Sequence, residues 1–211
     1  KYEKQDVKGL GKYIDRLSTR IGNGTGPDIF RFHNSWMTQV KPFLLPFPED
    51  VVKALSMDKF YKVVQEDLRV KGAYYGVPIQ FDTLALFVNV QSFAAAGISE
   101  YPSTWDDLAN VARKLTVKDA SGRIVSSGVA LGTYDNIAHS SDIISLLLIQ
   151  NGANLLDLNG PAKQSAYDAL DFYTSFSRGE ANVWDDTLEN SKLAFAKGNL
   201  AMYFGYSWDI F

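Results

Sequence analysis

The sequence predicts an α/β fold built from layers of helices and strands. Helical apolar stripes alternate with short apolar runs along most of the 211 residues, and this alternation is typical of α/β layers. No internal repeat, low-complexity tract or flexible linker interrupts the pattern. A content of 46% hydrophobic and 21% charged residues excludes a disordered or fibrous chain, so a globular protein is expected.

The first third of the chain is predicted to be mainly helical. Its first helix has an apolar stripe at spacings of three and four residues, formed by Val7, Leu10, Ile14, Leu17 and Ile21. This helix should end at Gly22. There follow, in order, a short buried strand at 29–32, a helix carrying Trp36 and Val40, and helical segments at 51–57 and 59–68. Asn34 or Ser35 can cap the helix of Trp36, which must stop before Pro42.

The run at 72–89 is predicted to be a long apolar strand with one carboxylate, Asp82. A strand of this length and composition should be buried. A buried Asp82 then needs a partner that compensates for its desolvation. That partner can be an arginine or, equally, a ligand hydroxyl.

Beyond Asn89 the sequence predicts helices and strands in alternation. Thr104-Trp105-Asp106-Asp107 is a capping-box-like start of a helix. The other expected elements are strands at 129–131 and 200–204 and helices that start at Asp142, Ala166 and Asn190. Trp105 and Trp184 are assigned to the core.

Charge, cysteine content and histidine spacing limit the possible functions. The 21 basic and 24 acidic residues are interspersed, so no basic patch is available to bind nucleic acid. The absence of cysteine removes thiol catalysis, disulfides and thiolate metal sites. His33 and His139 have no partner at metal-ligand spacing, so neither a metal site nor a cofactor is expected. No apolar stretch approaches the roughly 20 residues that span a bilayer.

Four motifs follow one another along the chain. They are Gly26-Pro27-Asp28-Ile29-Phe30, the run at 72–89, Pro102-Ser103-Thr104-Trp105-Asp106-Asp107-Leu108, and the segment 194–203 followed by Gly205-Tyr206-Ser207-Trp208. Together they resemble the extracellular solute-binding proteins of sugar-type ABC importers, a maltose-binding-protein-like family. Each motif alone is weak, but four in the family's order make the resemblance specific.

The resemblance implies a two-lobed fold like that of the type II periplasmic binding proteins. Residues 1–82 would form part of the N-terminal lobe and residues 83–211 most of the C-terminal lobe, with a strand crossing near 82–89. The family has a strand and a helix before the position of Lys1 and continues past that of Phe211. We therefore expect an internal fragment whose fold is incomplete at both ends.

The resemblance also implies a function. The protein would capture a sugar or oligosaccharide between two hinged lobes and deliver it to the membrane permease of an ABC importer, without catalysis. The expected partners are a small-molecule solute and the membrane subunits of the transporter, and the intact protein should be a monomer. It would be periplasmic or lipid-anchored at the outer face of the cytoplasmic membrane.

Candidate ligand contacts follow from the motifs. Sugar sites combine polar side chains that bind ring hydroxyls with aromatic rings that cover apolar ring faces. Asp82 matches an acidic residue that many family members direct into the cleft, and Trp208 matches an aromatic platform whose role Tyr206 can share. Asn34 and Trp36 follow the Gly-Pro-Asp motif, where the family presents contacts from the first lobe.

Three further candidates follow the predicted strand at 129–131, namely Tyr134, Asp135 and Asn136. Ligands of α/β proteins gather at the carboxyl ends of strands, so these side chains are expected at the same cleft. In this interpretation Asp135 and Asn136 bind hydroxyls together with Asp82 and Asn34. Tyr134 stacks on a sugar ring, as Trp36 and Trp208 do.

Two alternatives remain open from the sequence. A carbohydrate-active enzyme would use Asp82 and Asp135 as paired carboxylates. A binding protein for a non-sugar solute, such as glycerol phosphate, would use the same cleft. A serine hydrolase is disfavoured, because Ser207 lacks the glycine two positions on and no histidine follows it.

Overall fold

The structure is a computed structural model that describes residues 10–210. The chain divides into two compact units, Lys1–Phe81 and Asp82–Phe211. Helices and short antiparallel strands alternate through the described residues, so the predicted α/β class is confirmed. None of the helices described has the length and apolar character needed to cross a membrane.

The first unit consists of short helices and one small hairpin. Its elements are α1 (Leu10–Gly22), α2 (Met37–Val40), α3 (Glu49–Ala54), α4 (Lys62–Asp67), β1 (Arg69–Val70) and β2 (Ala73–Tyr74), with 3₁₀ turns at Asn34–Trp36, Lys41–Phe43 and Met57–Lys59. Helix α1 ends at Gly22, as predicted, whereas Val7 lies outside the described residues. The buried cluster of this unit is formed by Met37, Met57 and Leu68.

Two predictions for this unit are wrong. Residues 29–32 form no strand, and Ile29 is 90% exposed, so the apolar run there has no sheet to join. The turn at Asn34–Trp36 is capped by His33, whose side chain accepts a hydrogen bond from the Ser35 amide. Helix α2 ends at Val40 and so stops before Pro42, as predicted, and a separate 3₁₀ turn follows at Lys41–Phe43.

The predicted long strand at 72–89 is also wrong, because it is broken into separate pieces. Strands β1 and β2 pair through a two-residue turn at Lys71 and Gly72, both of which have positive φ. Residues 75–84 are irregular, and the next strand, β3, spans only Ala85–Val88. Asp82 therefore precedes a strand and is partly exposed, rather than being buried inside one.

The second unit carries the larger core. Its elements are β3, α5 (Val90–Ala95), α6 (Trp105–Leu115), β4 (Val117–Lys118), β5 (Ile124–Ser126), α7 (Ser140–Gln150), α8 (Lys163–Ser175), α9 (Ser191–Ala196), β6 (Met202–Gly205) and a 3₁₀ turn at Ser207–Ile210. Strand β3 pairs antiparallel with β6, with Ala85 opposite Gly205. Trp184 is fully buried in the core, as predicted.

Most element starts in this unit agree with the sequence. Thr104 caps α6 by accepting a hydrogen bond from the Asp107 amide at 3.1 Å, and Asn190 caps α9 through the Lys192 amide at 3.1 Å. Residues 129–131 are fully buried beside β6, and the Ala130 amide donates to the Met202 carbonyl at 3.2 Å. They form no regular strand, however, because the ladder of β5 ends at Ser126.

Candidate functional site

The segment after β6 presents two stacked aromatic rings. The chain turns out of the strand at Gly205 and forms the 3₁₀ turn at Ser207–Ile210. The rings of Tyr206 and Trp208 lie 4.4 Å apart between centroids with an interplanar angle of 22°. Trp208 is 45% exposed. This aromatic pair, Tyr206 and Trp208, therefore offers a flat apolar surface to a ligand.

Asp82 contacts Ser207, the residue between Tyr206 and Trp208 in the sequence. One of its carboxylate oxygens accepts hydrogen bonds from the Ser207 amide at 3.1 Å and the Ser207 hydroxyl at 2.5 Å. The other oxygen accepts from the Thr83 amide at 2.8 Å. The hydrogen bond from the Ser207 hydroxyl is the largest cause of a pKa of Asp82 below its ordinary value, so the carboxylate is ionised at neutral pH.

The pairing of β3 with β6 explains how Asp82 meets Ser207. The two residues are 125 positions apart in the sequence. Asp82 lies just before β3, and Ser207 lies just after β6, which runs antiparallel to it. The register of the two strands therefore places the residues beside each other.

A second carboxylate, Asp209, lies beneath the aromatic pair. Its side chain is only 2% exposed and accepts hydrogen bonds from Lys192 Nζ, from His139 Nε2 at 3.1 Å and from the Tyr206 amide at 3.2 Å. Burial raises the pKa of Asp209, but the hydrogen bond from Lys192 and those from Tyr206 and His139 outweigh burial and hold the pKa below its ordinary value. Asp209, His139 and Lys192 are called the anchor cluster below.

A third carboxylate orients the ring of Tyr206. The Tyr206 hydroxyl donates to Asp142 in the first turn of α7, at 3.0 Å. Desolvation, together with the hydrogen bond to Asp142 and its charge, raises the pKa of Tyr206 to about 12. The hydroxyl therefore stays protonated at neutral pH and keeps its hydrogen bond.

The loop before α7 contains three of the predicted ligand contacts. Two of these side chains are exposed to solvent, and the third is hydrogen-bonded within the protein. Tyr134 is 58% exposed and Asp135 is exposed. The amide nitrogen of Asn136 instead donates to the carbonyls of Asp185 and Leu188 at 2.8 and 3.0 Å. Its amide oxygen accepts from Thr133 and Trp184. All hydrogen-bonding groups of the Asn136 side chain are thus used within the protein, which gives this residue a structural role.

The two predicted contacts of the first unit lie around its first 3₁₀ turn. Asn34 is exposed and donates a hydrogen bond to the Asp67 carboxylate at 2.6 Å. Trp36 is half-buried, and its ring centroid lies 5.9 Å from that of Tyr13. A groove of about 400 Å³ in the same unit includes neither residue, and it is lined by Val52, Lys53, Met57, Asp58, Gln65 and Tyr74.

The structure brings Asp82, Tyr206 and Trp208 together, and it adds residues that the sequence interpretation missed. His139, Lys192, Asp142 and Asp209 were not predicted as part of a site. The one available signal was Asp209, a carboxylate placed directly after an aromatic turn. Among residues 10–210, no group of three histidine, aspartate or glutamate side chains could hold a metal ion.

Residues 5–211 match the protein family described as bacterial extracellular solute-binding protein. The chain belongs to this family. The resemblance deduced from the four motifs is therefore confirmed, and it places the function of the protein outside the cytoplasm. A relative of similar sequence is the maltotriose-binding protein of Pyrococcus abyssi (strain GE5 / Orsay), which is 31% identical over 100 residues. That alignment covers 46% of this chain and 21% of the relative.

Solved solute-binding proteins share the fold at low sequence identity. An ABC substrate-binding protein from Listeria monocytogenes in complex with cycloalternan has a TM-score of 0.70 and 20% identity, covering 95% of this chain and 53% of that one. UgpB from Mycobacterium tuberculosis in complex with glycerophosphocholine has a TM-score of 0.73 and 15% identity, covering 97% and 51%. The predicted two-lobed, type II periplasmic-binding-protein class is confirmed, and the chain spans about half the length of these solved relatives.

The chemistry of the second unit suits an extracellular solute-binding protein. The aromatic pair can cover an apolar ring face, and the exposed carboxylate of Asp135 can accept hydrogen bonds from hydroxyl groups. Each carboxylate oxygen has two lone pairs, so the Asp82 oxygen bonded to Thr83 retains capacity for a ligand donor. Such an arrangement has the chemical groups that polar, hydroxylated molecules need for binding.

Proposed function

We propose that this protein is the solute-binding component of an ABC importer and that its solute is a carbohydrate. It would capture a mono- or oligosaccharide between two hinged lobes and deliver it to the membrane subunits of the transporter. Residues 1–82 would belong to the N-terminal lobe and residues 83–211 to the C-terminal lobe. The observation that carries the proposal is the stacked, exposed aromatic pair, with Asp82 bonded to the residue between the two rings.

The proposed ligand contacts are the predicted residues whose side chains keep exposed surface or free hydrogen-bonding capacity. In the second unit these are Trp208 and Tyr206 as stacking surfaces, Tyr134 as a third aromatic, and Asp82 and Asp135 as acceptors of hydroxyl hydrogen bonds. In the first unit, Asn34 and Trp36 stay as proposed contacts. Asn136 is left out, since its side-chain groups are all bonded within the protein.

The names of relatives support a carbohydrate solute. One relative by sequence is a maltotriose-binding protein, and one solved relative is in complex with cycloalternan. A second candidate is a phosphorylated polyol, since another solved relative is in complex with glycerophosphocholine. The carboxylates bonded to Tyr206 and Ser207 disfavour this second candidate, because Asp142 and Asp82 would repel a phosphate.

The role of general acid does not suit Asp82. A glycosidase needs one protonated carboxyl group as its general acid, with a raised pKa. The hydrogen bonds from Ser207 and Thr83 lower the pKa of Asp82 instead. Because the chain also belongs to a family of solute-binding proteins, we infer that the protein binds carbohydrate without cleaving it.

The test is a thermal-shift and calorimetric screen of the intact protein against maltotriose, other oligosaccharides, monosaccharides, glycerol 3-phosphate and glycerophosphocholine. A ligand that binds only the folded state stabilises it by RT ln(1 + [L]/Kd), so a sugar-specific rise in Tm is expected. Trp208→Ala should weaken binding at least about tenfold through the loss of stacking. Tyr167→Ala is the matched control, because Tyr167 is an exposed aromatic on α8.

Three results would contradict the proposal. They are a shift with the phosphorylated polyols alone, equal affinities of the Trp208 and Tyr167 variants, and release of reducing sugar from an oligosaccharide during incubation.

A further inference from the structure

We propose that Asp209 is a positioning residue that, through His139 and Lys192, sets the orientation of the aromatic pair and ties it to the loop before α7. The effect on ligand affinity rests on the function proposed above. The positioning itself rests only on the geometry of the second unit.

Asp209 is buried and hydrogen-bonded on several sides. An aspartate side chain with 2% exposure is costly unless charged or hydrogen-bonded partners surround it. Asp209 has such partners on α9, at the start of α7 and in its own turn: Lys192, His139 and the Tyr206 amide. One carboxylate therefore fixes the first residue of the aromatic pair to two helices.

Gly205 has no space for a side chain, because Asp209 and Tyr203 pack against its backbone. A Cβ atom at this position would lie 2.5 Å from the Asp209 carboxylate and 2.9 Å from the ring of Tyr203. The backbone at the end of β6 thus packs directly against the carboxylate. A glycine is needed there because any side chain would push Asp209 away from its partners.

His139 lies directly before α7 and contacts both rings of the aromatic pair. This residue has φ of 60°, a left-handed conformation that is uncommon for a residue other than glycine. Its ring meets Tyr206 edge-on at 4.8 Å between centroids and Trp208 at 6.3 Å. The loop that carries Tyr134 and Asp135 ends at His139, so the anchor cluster links the two groups of proposed contacts in this unit.

Hydrogen bonds from three sides hold the aromatic pair in place. His139 faces Asp209 directly, and Lys192 on α9 contacts the same carboxylate. Asp142, on the helix that follows His139, is hydrogen-bonded to the Tyr206 hydroxyl, and Asp82 is hydrogen-bonded to Ser207.

The experiment compares Asp209→Asn with Glu189→Gln in the intact protein. Both substitutions replace a carboxylate by an amide, and Glu189 is likewise bonded to a lysine, Lys197, at 2.6 Å. Near-UV circular dichroism reports the stacking of the aromatic pair without any ligand. Tryptophan fluorescence at neutral pH reports the surroundings of Trp208, and Trp208→Phe identifies that signal.

The expected result has two parts. Asp209→Asn should change the near-UV spectrum and the Trp208 fluorescence, whereas Glu189→Gln should change neither. Affinity for maltotriose should fall about tenfold in Asp209→Asn, because a buried ion-paired acceptor is lost. His139→Gln should change the same two signals while the protein stays folded, and it decides the matter together with Lys192→Met if Asp209→Asn does not fold.

The outcomes separate the two proposals. Unchanged near-UV spectra and unchanged Trp208 fluorescence in these variants would overturn the positioning role, even if maltotriose binds normally. Spectra that change as expected in a protein that binds no carbohydrate would support the positioning role and overturn the proposed function.

Discussion

The two units differ in how they bury apolar side chains. In the second unit, one continuous cluster connects β6 with α6, α7 and α8, and Trp184 and Ile143 within it have no exposed surface. In the first unit the buried cluster is small and centres on Met57, while Ile29, Leu45 and Ile79 are each more than 70% exposed. Burial of apolar surface is the main favourable term in folding. The second unit therefore carries the larger share of the stability, and the aromatic pair is built on it.

The largest expected effect is that of Trp184→Ala in the second unit. Trp184 is fully buried, and its indole N–H donates to Thr133 and Asn136, both at 3.1 Å. We expect a loss of about 3 to 5 kcal/mol in the free energy of unfolding, measured by urea denaturation. The loop of Tyr134 should loosen as well. A loss below 1 kcal/mol would contradict the assignment of the main core to this unit.

A smaller effect is expected for Met57→Ala in the first unit. Met57 is 1% exposed, but its cluster is small and can collapse around the deleted atoms. We expect a loss of about 2 kcal/mol, confined to the first unit. Limited proteolysis should then show faster cleavage within residues 1–81 and unchanged protection of residues 82–211. Equal loss of protection in both parts would show that the difference between the units is wrong.

Gly205→Ala should have a smaller effect than either of these substitutions. We expect a loss of about 1 to 2 kcal/mol in the free energy of unfolding, since the new methyl group has no space beside Asp209 and Tyr203. Gly22→Ala at the end of α1 is the control. No atom lies within 4 Å of a Cβ there, and this glycine has no positive φ. Thermal unfolding followed by circular dichroism compares the two variants. A Gly205 variant as stable as the Gly22 variant would remove the argument from close packing.

The smallest effect is the pH dependence that Asp209 confers on the second unit. Its pKa in the folded protein lies below the ordinary value of 3.8. The unfolded chain therefore binds this proton more readily, so the ionised carboxylate favours folding above pH 3.8. That contribution is lost as the pH falls through the lower pKa of the folded state. Acid titration of Tm should be shallower in Asp209→Asn than in the wild type, and identical slopes would contradict the assignment.

Local sequence signals predicted the helices of the second unit well. Thr104 caps α6 as expected, and α9 starts directly after Asn190, the predicted start, because a side-chain cap depends only on the neighbouring residues. The apolar runs at 29–32 and 72–89 were misinterpreted for the opposite reason. Whether an apolar run becomes a strand depends on a partner strand, and within these two runs only residues 73–74 and 85–88 have one, in β1 and β6 respectively.

The candidate site was predictable only in part, for the same reason. The motif positions of Asp82, Tyr206 and Trp208 pointed to residues that the structure brings together. The anchor cluster joins residues from three separate elements, and no local pattern marks His139 or Lys192 as neighbours of Asp209. Asn136 shows the converse, since it was expected to bind a ligand hydroxyl and its side chain is hydrogen-bonded within the protein.

The pairing of β3 with β6 also has a consequence for how the chain acquires its structure. The paired residues are roughly 115 to 120 positions apart, so the second unit closes a very long loop to form this ladder. Long-range pairing of this kind slows folding. During synthesis, β3 leaves the ribosome well before its partner strand exists. The contact of Asp82 with Ser207 can therefore form only after nearly the whole of this sequence has been translated.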